Sequence, residues 1–258
     1  MLIAITRGVS PTIGDCELTF RSRQAIDVAV AMQQQRAYEA CLVQLGLRVI
    51  SLPAENALPD AVFVEDTAVV LDEIAVVATM GAVKRRGEVQ SVANTLSGYR
   101  PLKFLNHSAT LEGGDSIQAG RRLYIGVSKR TNREGINQLR EHVKAYDYDV
   151  IPVEVKGCLH LTTGCTYIGR DTFLLNRNWI DSSPFAGVNT ISIPSEEPWA
   201  ANALLVYDTV ILPASCPQTR RLLEERGFKT ESLDVSELEK AEAGLTCMSL
   251  IFDVEEAD

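Results

Sequence analysis

Thr67-Ala68-Val69-Val70-Leu71-Asp72-Glu73-Ile74-Ala75-Val76-Val77-Ala78-Thr79 reads as two strands joined across Asp72-Glu73. Arg86 to Ser97 then carries Val89, Val92, Ala93 and Leu96 at helical spacing and stops at Gly98, and Arg100–Leu105 is strand-like again. Hairpin, helix and strand together form one supersecondary unit. The same order recurs along the chain. Hairpins are expected at Ser116–Ala119 with Leu123–Val127, Cys165–Ile168 with Phe173–Leu175, and Ala203–Val206 with Val210–Leu212. Helices are expected at Arg23–Leu45, with a stripe of Ile26, Val30, Ala37, Cys41 and Leu45, at Thr131–Tyr146, and at Pro217–Arg226. Thr131 with Glu134 three residues on has the form of a capping box. Trp179–Ala186 contains Pro184 and supports no more than a turn or two. Strands follow at Arg48–Leu52, Asp149–Val155, Thr190–Ile193 and Lys229–Leu233.

Repeats at intervals of roughly 40 to 50 residues signal stacked supersecondary units. About five units that each bury one face predict a closed ring, with Leu2–Thr6 pairing with Cys247–Val254 to seal it. No Ser/Gly/Pro-rich linker divides the chain, so residues 1–258 are expected to form one α/β domain.

Composition excludes several functions. A net charge of −9 argues against nucleic acid as a partner. No apolar run approaches the ~20 residues that cross a bilayer, and the N-terminus lacks a signal-peptide pattern. Six cysteines without a C-x-x-C pair read as reduced thiols, which predicts a cytoplasmic protein. No P-loop or G-x-G-x-x-G is present, and the His, Cys, Asp and Glu residues have no zinc spacing, so neither cofactor nor metal is expected.

Lone polar residues interrupt the apolar pattern. Glu65-Asp66, Glu112-Gly113-Gly114-Asp115, His160 and Cys247 each begin between 11 and 18 residues after the start of a post-helix strand, and Ala201-Asn202 stands at the matching place in the fourth unit. Singly, each has an ordinary reading. A free cysteine is usually a small core hydrophobe, and the two glycines after Glu112 suit a tight turn. His107 and His142 read as a loop and a charged-helix residue. In a closed ring, however, equivalent positions face one axis. A thiol, an imidazole and carboxylates would then supply a nucleophile, an acid/base and a cation grip in one cavity.

The segments Pro59-Asp60-Ala61-Val62-Phe63-Val64-Glu65-Asp66, Leu111-Glu112-Gly113-Gly114-Asp115, Ser128-Lys129-Arg130-Thr131-Asn132, Leu159-His160-Leu161 and Leu245-Thr246-Cys247-Met248-Ser249 closely resemble the dimethylarginine dimethylaminohydrolase family. That family belongs to the guanidine-modifying α/β-propellers, which include arginine deiminases. The resemblance implies a five-bladed pseudo-symmetric propeller of ββαβ units around a central site. It also implies hydrolysis of dimethylarginine or monomethylarginine to citrulline and an amine through a thiouronium on Cys247. Cys247 matches the nucleophile, His160 the general acid/base and Glu112 the third catalytic group. Asp66 matches the guanidinium grip, with Glu65, Asp60 and Phe63 also in the pocket, and Arg85 and Arg130 match the arginines that hold the substrate carboxylate. Leu18 falls on the lid, and Ala241 on the stretch that meets the amino-acid end. The expected partners are a small guanidino substrate and a second copy of the chain in a homodimer. Two departures stand out: Thr162-Thr163 where Lys often follows His-Leu, and a small residue at Ala241. The alternatives are an arginine deiminase, a hydrolase of citrulline or another ureido compound, and a propeller that binds without chemistry.

Overall fold

The computed structural model describes residues 1–106 and 108–254. His107 therefore lies outside the described residues. Strand β1 (Leu2–Arg7) runs parallel to β2 (Arg48–Leu52), with α1 (Val28–Gln44) between them. The hairpin of β3 (Ala68–Val70) and β4 (Ala75–Val77) leads through α2 (Val89–Leu96) to β5 (Leu102–Phe104), parallel to β4. The hairpin of β6 (Ser116–Ala119) and β7 (Arg122–Val127) leads through α3 (Arg133–Val143) to β8 (Asp149–Glu154). The short helix α4 (Leu161–Gly164) precedes the hairpin of β9 (Cys165–Tyr167) and β10 (Thr172–Leu175), and β11 (Asn189–Ser192) follows a 3-10 turn at Ser183–Phe185. The hairpin of β12 (Leu204–Val206) and β13 (Thr209–Pro213) leads through α5 (Pro217–Glu224) to β14 (Lys229–Leu233). After α6 (Ser236–Glu239), β15 (Leu250–Asp253) returns to pair antiparallel with β1.

The result is five three-stranded sheets of one pattern, an antiparallel hairpin plus a parallel third strand. This is the five-unit α/β propeller that the repeat predicts. Closure comes from the expected pairing of the first strand with the last. The five sheets remain separate, and the β15–β1 pairing joins the end of the described chain to its start, with Ile3 opposite Phe252 and Ile5 opposite Leu250. Apolar packing fills the gaps between sheets. Tyr124 from one sheet stacks on Phe185 at 4.9 Å and meets Phe173 edge-on at 5.0 Å, joining the third blade to the fourth.

Four local expectations are corrected. Helix α1 begins at Val28, capped by the Asp27 carboxylate on the Ala29 and Val30 amides at 3.0 and 3.1 Å, so Arg23 to Ile26 are not helical. Its buried face is Ala31, Gln34, Gln35, Tyr38 and Leu42 rather than the Ala37 stripe. Gln34 is drawn inward because it bonds Ser236 Oγ at 3.0 Å and accepts from the Glu237 amide at 3.0 Å. On α3 the cap is Asn132, which accepts from Gly135 N at 2.8 Å. Thr131 is buried beside the functional site instead. The last strand starts at Leu250, leaving Cys247 on a 3-10 turn (Thr246–Met248) before it.

Candidate active site

That displacement is general. Asp66 sits in a 3-10 turn (Val64–Thr67) before β3, Glu112 caps the turn before β6, and His160 caps α4 before β9. Asn202 precedes β12 and Cys247 precedes β15. The five polar residues thus occupy one position in each of the five blades, the turn that enters the first strand of the hairpin. Reading them as part of a strand is corrected on this point. Short apolar runs such as Ala61-Val62-Phe63-Val64 do not separate strand from helical turn by pattern alone.

The enclosed front cavity is lined by Asp60, Phe63, Asp66, Arg85, Arg130, His160, Ala241 and Cys247, together with Glu17 and Glu242. Its free space is about 10 Å³, close to that of one water. Exposure is 0% for Glu112, 2% for His160, 3% for Asp66 and 6% for Cys247, so water screens these charges little.

His160 is held between two carboxylates. Its Nε2 lies 2.8 Å from Glu112 Oε2, and its Nδ1 lies 3.6 Å from Asp66 Oδ1. Burial opposes a charged ring, but Asp66 first, then Glu112 and Asp115, raise the imidazole to about 9. Burial likewise disfavours the Glu112 anion, but the His160 hydrogen bond and the Arg85 and Arg130 charges pull it down to about 2. The pair therefore rests as imidazolium and carboxylate at neutral pH.

Glu112 has no oxygen to spare. Oε1 accepts from Gly81 N at 2.9 Å, and Arg130 Nη1 reaches both oxygens at 3.3–3.4 Å. Its backbone amide donates to Thr131 Oγ1 at 3.1 Å. Asp66 is different. Oδ2 takes Arg85 Nη1 at 2.6 Å, while Oδ1 is buried with no hydrogen-bond partner. A lone buried carboxylate oxygen is costly unless something uses it, and here it faces the cavity that holds the thiol.

Arg85 is buried, with Asp66 on one side and the Glu88 carboxylate on the other, and its Nη2 lies 3.4 Å from the Asp60 and Phe63 carbonyls. In this state both Arg85 and Arg130 are paired with carboxylates of the protein. Each still borders the cavity and would have to turn partly toward a substrate carboxylate. Asp60 accepts from the Glu17 amide at 3.1 and 3.2 Å, which ties the lid segment to the cavity rim. Leu18 is half-buried against the apolar cluster around Tyr38 and Met248. Glu65 stands apart from the other expected pocket residues: it borders a second cavity, not this one.

Cys247 accepts from Gly244 N at 3.4 Å. Burial, then the Glu65 and Asp66 charges, push its thiol well above the ordinary range, so the resting group is S–H. Asn202 sets the turn that carries it, accepting from Thr246 N and donating to Thr246 Oγ1, both at 3.1 Å.

The two glycines after Glu112 are required by close approach, and neither has a positive φ. A Cβ at Gly113 would sit 2.0 Å from the Glu65 carbonyl oxygen, and one at Gly114 would sit 2.5 Å from Asp66 Oδ1 and 3.0 Å from the His160 ring. Several residues of the site had no role assigned from sequence. Asp115 accepts from Leu161 N at 2.9 Å and Ser128 Oγ at 2.6 Å, joining the His160 backbone to the Arg130 loop. The Glu242 carboxylate latches the lid through the amides of Thr19, Phe20 and Arg21. His142 lies elsewhere on α3, with Nε2 3.2 Å from the Phe104 carbonyl. Among the described residues, the nearest approach to a metal cluster is Asp66, Glu112 and His160, whose donor atoms lie within 4.8 Å of one another. Two guanidiniums already neutralise those carboxylates, so a cation would have to displace them.

A family model described as N,N dimethylarginine dimethylhydrolase, eukaryotic, matches residues 17–188. An N(G),N(G)-dimethylarginine dimethylaminohydrolase from Pseudomonas aeruginosa is 34% identical over 88% of this chain and 90% of its own. A cysteine-to-serine mutant of the Pseudomonas aeruginosa enzyme complexed with citrulline superposes at TM-score 0.92, with 32% identity over 96% of this chain and 98% of that one. A histidine-to-glycine dimethylarginine dimethylaminohydrolase, solved as an adduct with S-methyl-L-thiocitrulline, gives 0.93 at 32% identity over 98% and 100%. With the ring, the site and these relatives in agreement, the chain belongs to the dimethylarginine dimethylaminohydrolase family.

Proposed function

We propose that this protein hydrolyses Nω-methylated arginines to citrulline and dimethylamine or methylamine, with Cys247 as nucleophile. The observation that carries the reading is the single cavity in which the Cys247 thiol, the His160 imidazolium and the unpartnered Asp66 Oδ1 meet.

A guanidinium is planar and resonance-stabilised, so its carbon is a reluctant electrophile. Asp66 Oδ1 accepts an N–H and fixes the carbon over Cys247. The bound cation stabilises the thiolate, which attacks to give a tetrahedral adduct. His160, already protonated, donates to the departing amine as the C–N bond breaks and an S-alkylthiouronium forms. The now neutral imidazole, held on Glu112, takes a proton from water as it attacks. The C–S bond breaks, citrulline leaves and the thiol is restored. Arg85 and Arg130, both on the cavity wall, are the groups to meet the α-carboxylate, and Ala241 borders the same end. Leu18 and Glu17 close over it.

The adduct and the citrulline complex of the relatives support this order of events. All six cysteines are free thiols, which suits a reducing cytoplasm. Among the described residues no helix is long and apolar enough to cross a membrane.

The test is product analysis with arginine, monomethylarginine, dimethylarginine and citrulline as separate substrates. Citrulline with dimethylamine from dimethylarginine is the expected result. Ammonia from arginine alone would point to a deiminase, turnover of citrulline to a ureido hydrolase, and no product to a binding propeller.

A further inference from the structure

A second cavity, of about 280 Å³, lies along the ring axis beyond the site. All five hairpin-leading strands, β3, β6, β9, β12 and β15, contribute to its wall. Glu65, Thr162 and Thr246 form the partition between it and the nucleophile. Glu65 Oε2 accepts from Thr246 Oγ1 at 2.9 Å and lies 3.5 Å from Thr162 Oγ1, and its carboxyl stands close enough to the Cys247 thiol for its charge to push that thiol up. Among the described residues no Lys or Arg pairs with it.

The chemistry leaves one proton without a destination. The resting thiol must lose its proton before attack, yet His160 already holds one between Asp66 and Glu112. The lid latch closes the front of the cavity. Among the described residues, Glu65 is the one carboxyl that both lies beside the thiol and lines the open, half-polar second cavity.

We propose that Glu65 is the proton relay of the nucleophile, carrying the Cys247 proton through the Thr246 and Thr162 hydroxyls into the axial cavity as the cationic substrate docks. The Cys247 S–H bond breaks and an O–H bond forms on Glu65. The proton that Glu65 carried passes along the hydroxyls to water in the cavity, and the thiolate left behind pairs with the guanidinium. One proton is released for each substrate bound, and Glu65 ends as it began. The ionisable groups facing Glu65 are Asp66, His160, Cys247 and Tyr38. Burial, then the Asp66 charge, raise its carboxyl to about 8, so at neutral pH it carries the proton that the exchange needs.

The relay rests on the reading of Cys247 as nucleophile, and one experiment separates the two. Alkylation of Cys247 by the cationic reagent 2-chloroacetamidine is followed at pH 7 by mass spectrometry in the wild type, Glu65→Gln and Glu65→Ala. The relay predicts rapid labelling of the wild type and a loss of about 10²-fold in both variants, the scale of a positioned acid/base group. It also predicts that added formate, small enough to enter the axial cavity, restores much of the rate in Glu65→Ala but not in Glu65→Gln. A role in packing alone would be blind to formate. Labelling of Glu65→Gln at the wild-type rate, or Glu65→Ala deaf to formate, overturns the relay. A wild type that resists the reagent overturns the nucleophile itself.

Discussion

Replacing Glu242 by Gln isolates the lid latch. Glu242 is buried, holds a positive φ of 60°, and lies more than 200 residues from the amides it captures. One oxygen accepts from Thr19 N at 2.9 Å and the other from both Phe20 N and Arg21 N. A hydrogen bond to a charged acceptor contributes about 1.5–3 kcal/mol, roughly twice a neutral one. Gln keeps the shape and one acceptor oxygen. The oxygen that faces Phe20 and Arg21 can remain, but an NH₂ then meets the Thr19 N–H, so one bond is lost and two lose their charge. The net cost to the closed lid is about 2–3 kcal/mol, which raises its opening equilibrium about 30- to 150-fold. Hydrogen exchange resolved by residue measures this directly. The amides of Thr19, Phe20 and Arg21 should exchange faster by that factor, while the Ile3 and Ile5 amides in β1 keep their protection. Unchanged lid amides, or β1 amides that accelerate equally, would refute a local latch.

Other perturbations test the site itself. Gly114→Ala drives a methyl to within 2.5 Å of Asp66 Oδ1 and 3.0 Å of the His160 ring, so kcat/KM should fall about 10²-fold while circular dichroism is retained. Asn202→Ala removes both bonds that set the Thr246 turn, so it should slow Cys247 alkylation and lower stability by about 1–3 kcal/mol, read by urea denaturation. The pH dependence of stability has a definite sign. His160 is raised from 6.5 to about 9, so its contribution is full below pH 6.5 and is lost as pH rises through 9, on the order of 3 kcal/mol. Glu65, raised from 4.5 to about 8, works in the same direction between those values. The unfolding midpoint should therefore fall from pH 6 to pH 9, and Glu65→Gln should flatten part of that fall.

The blades were legible in the sequence because each hairpin is a pair of short, largely apolar runs around a polar turn, a pattern set by neighbours in the chain. β2 and β14 fall on their expected bounds for that reason. The face of α1 was not legible, because Gln34 is buried by partners about 200 residues away, and an apolar stripe cannot register a buried amide. The five axis-facing positions were visible as interruptions, although their helical turns were hidden in short apolar runs. Asp115, Glu242 and Glu88 were harder still. Asp115 and Glu242 act through backbone amides that only the closed ring brings near, Glu88 holds its near neighbour Arg85 three residues back, and a carboxylate in sequence carries no sign of what it will hold. The free oxygen of Asp66 and the saturated oxygens of Glu112 likewise emerged only from geometry, and they divide two carboxylates that look alike in sequence into one with an oxygen to spare and one bound to the histidine.

The central claim is that Cys247 carries the substrate carbon covalently and His160 releases it. The most direct measurement is the intact mass of His160→Gly during incubation with S-methyl-L-thiocitrulline, whose thiolate departs without a proton from the imidazole. A persistent adduct that maps to Cys247, absent in the His160→Gly, Cys247→Ser double variant, is the predicted result. Turnover at the wild-type rate with no adduct, or an adduct on another cysteine, would contradict it.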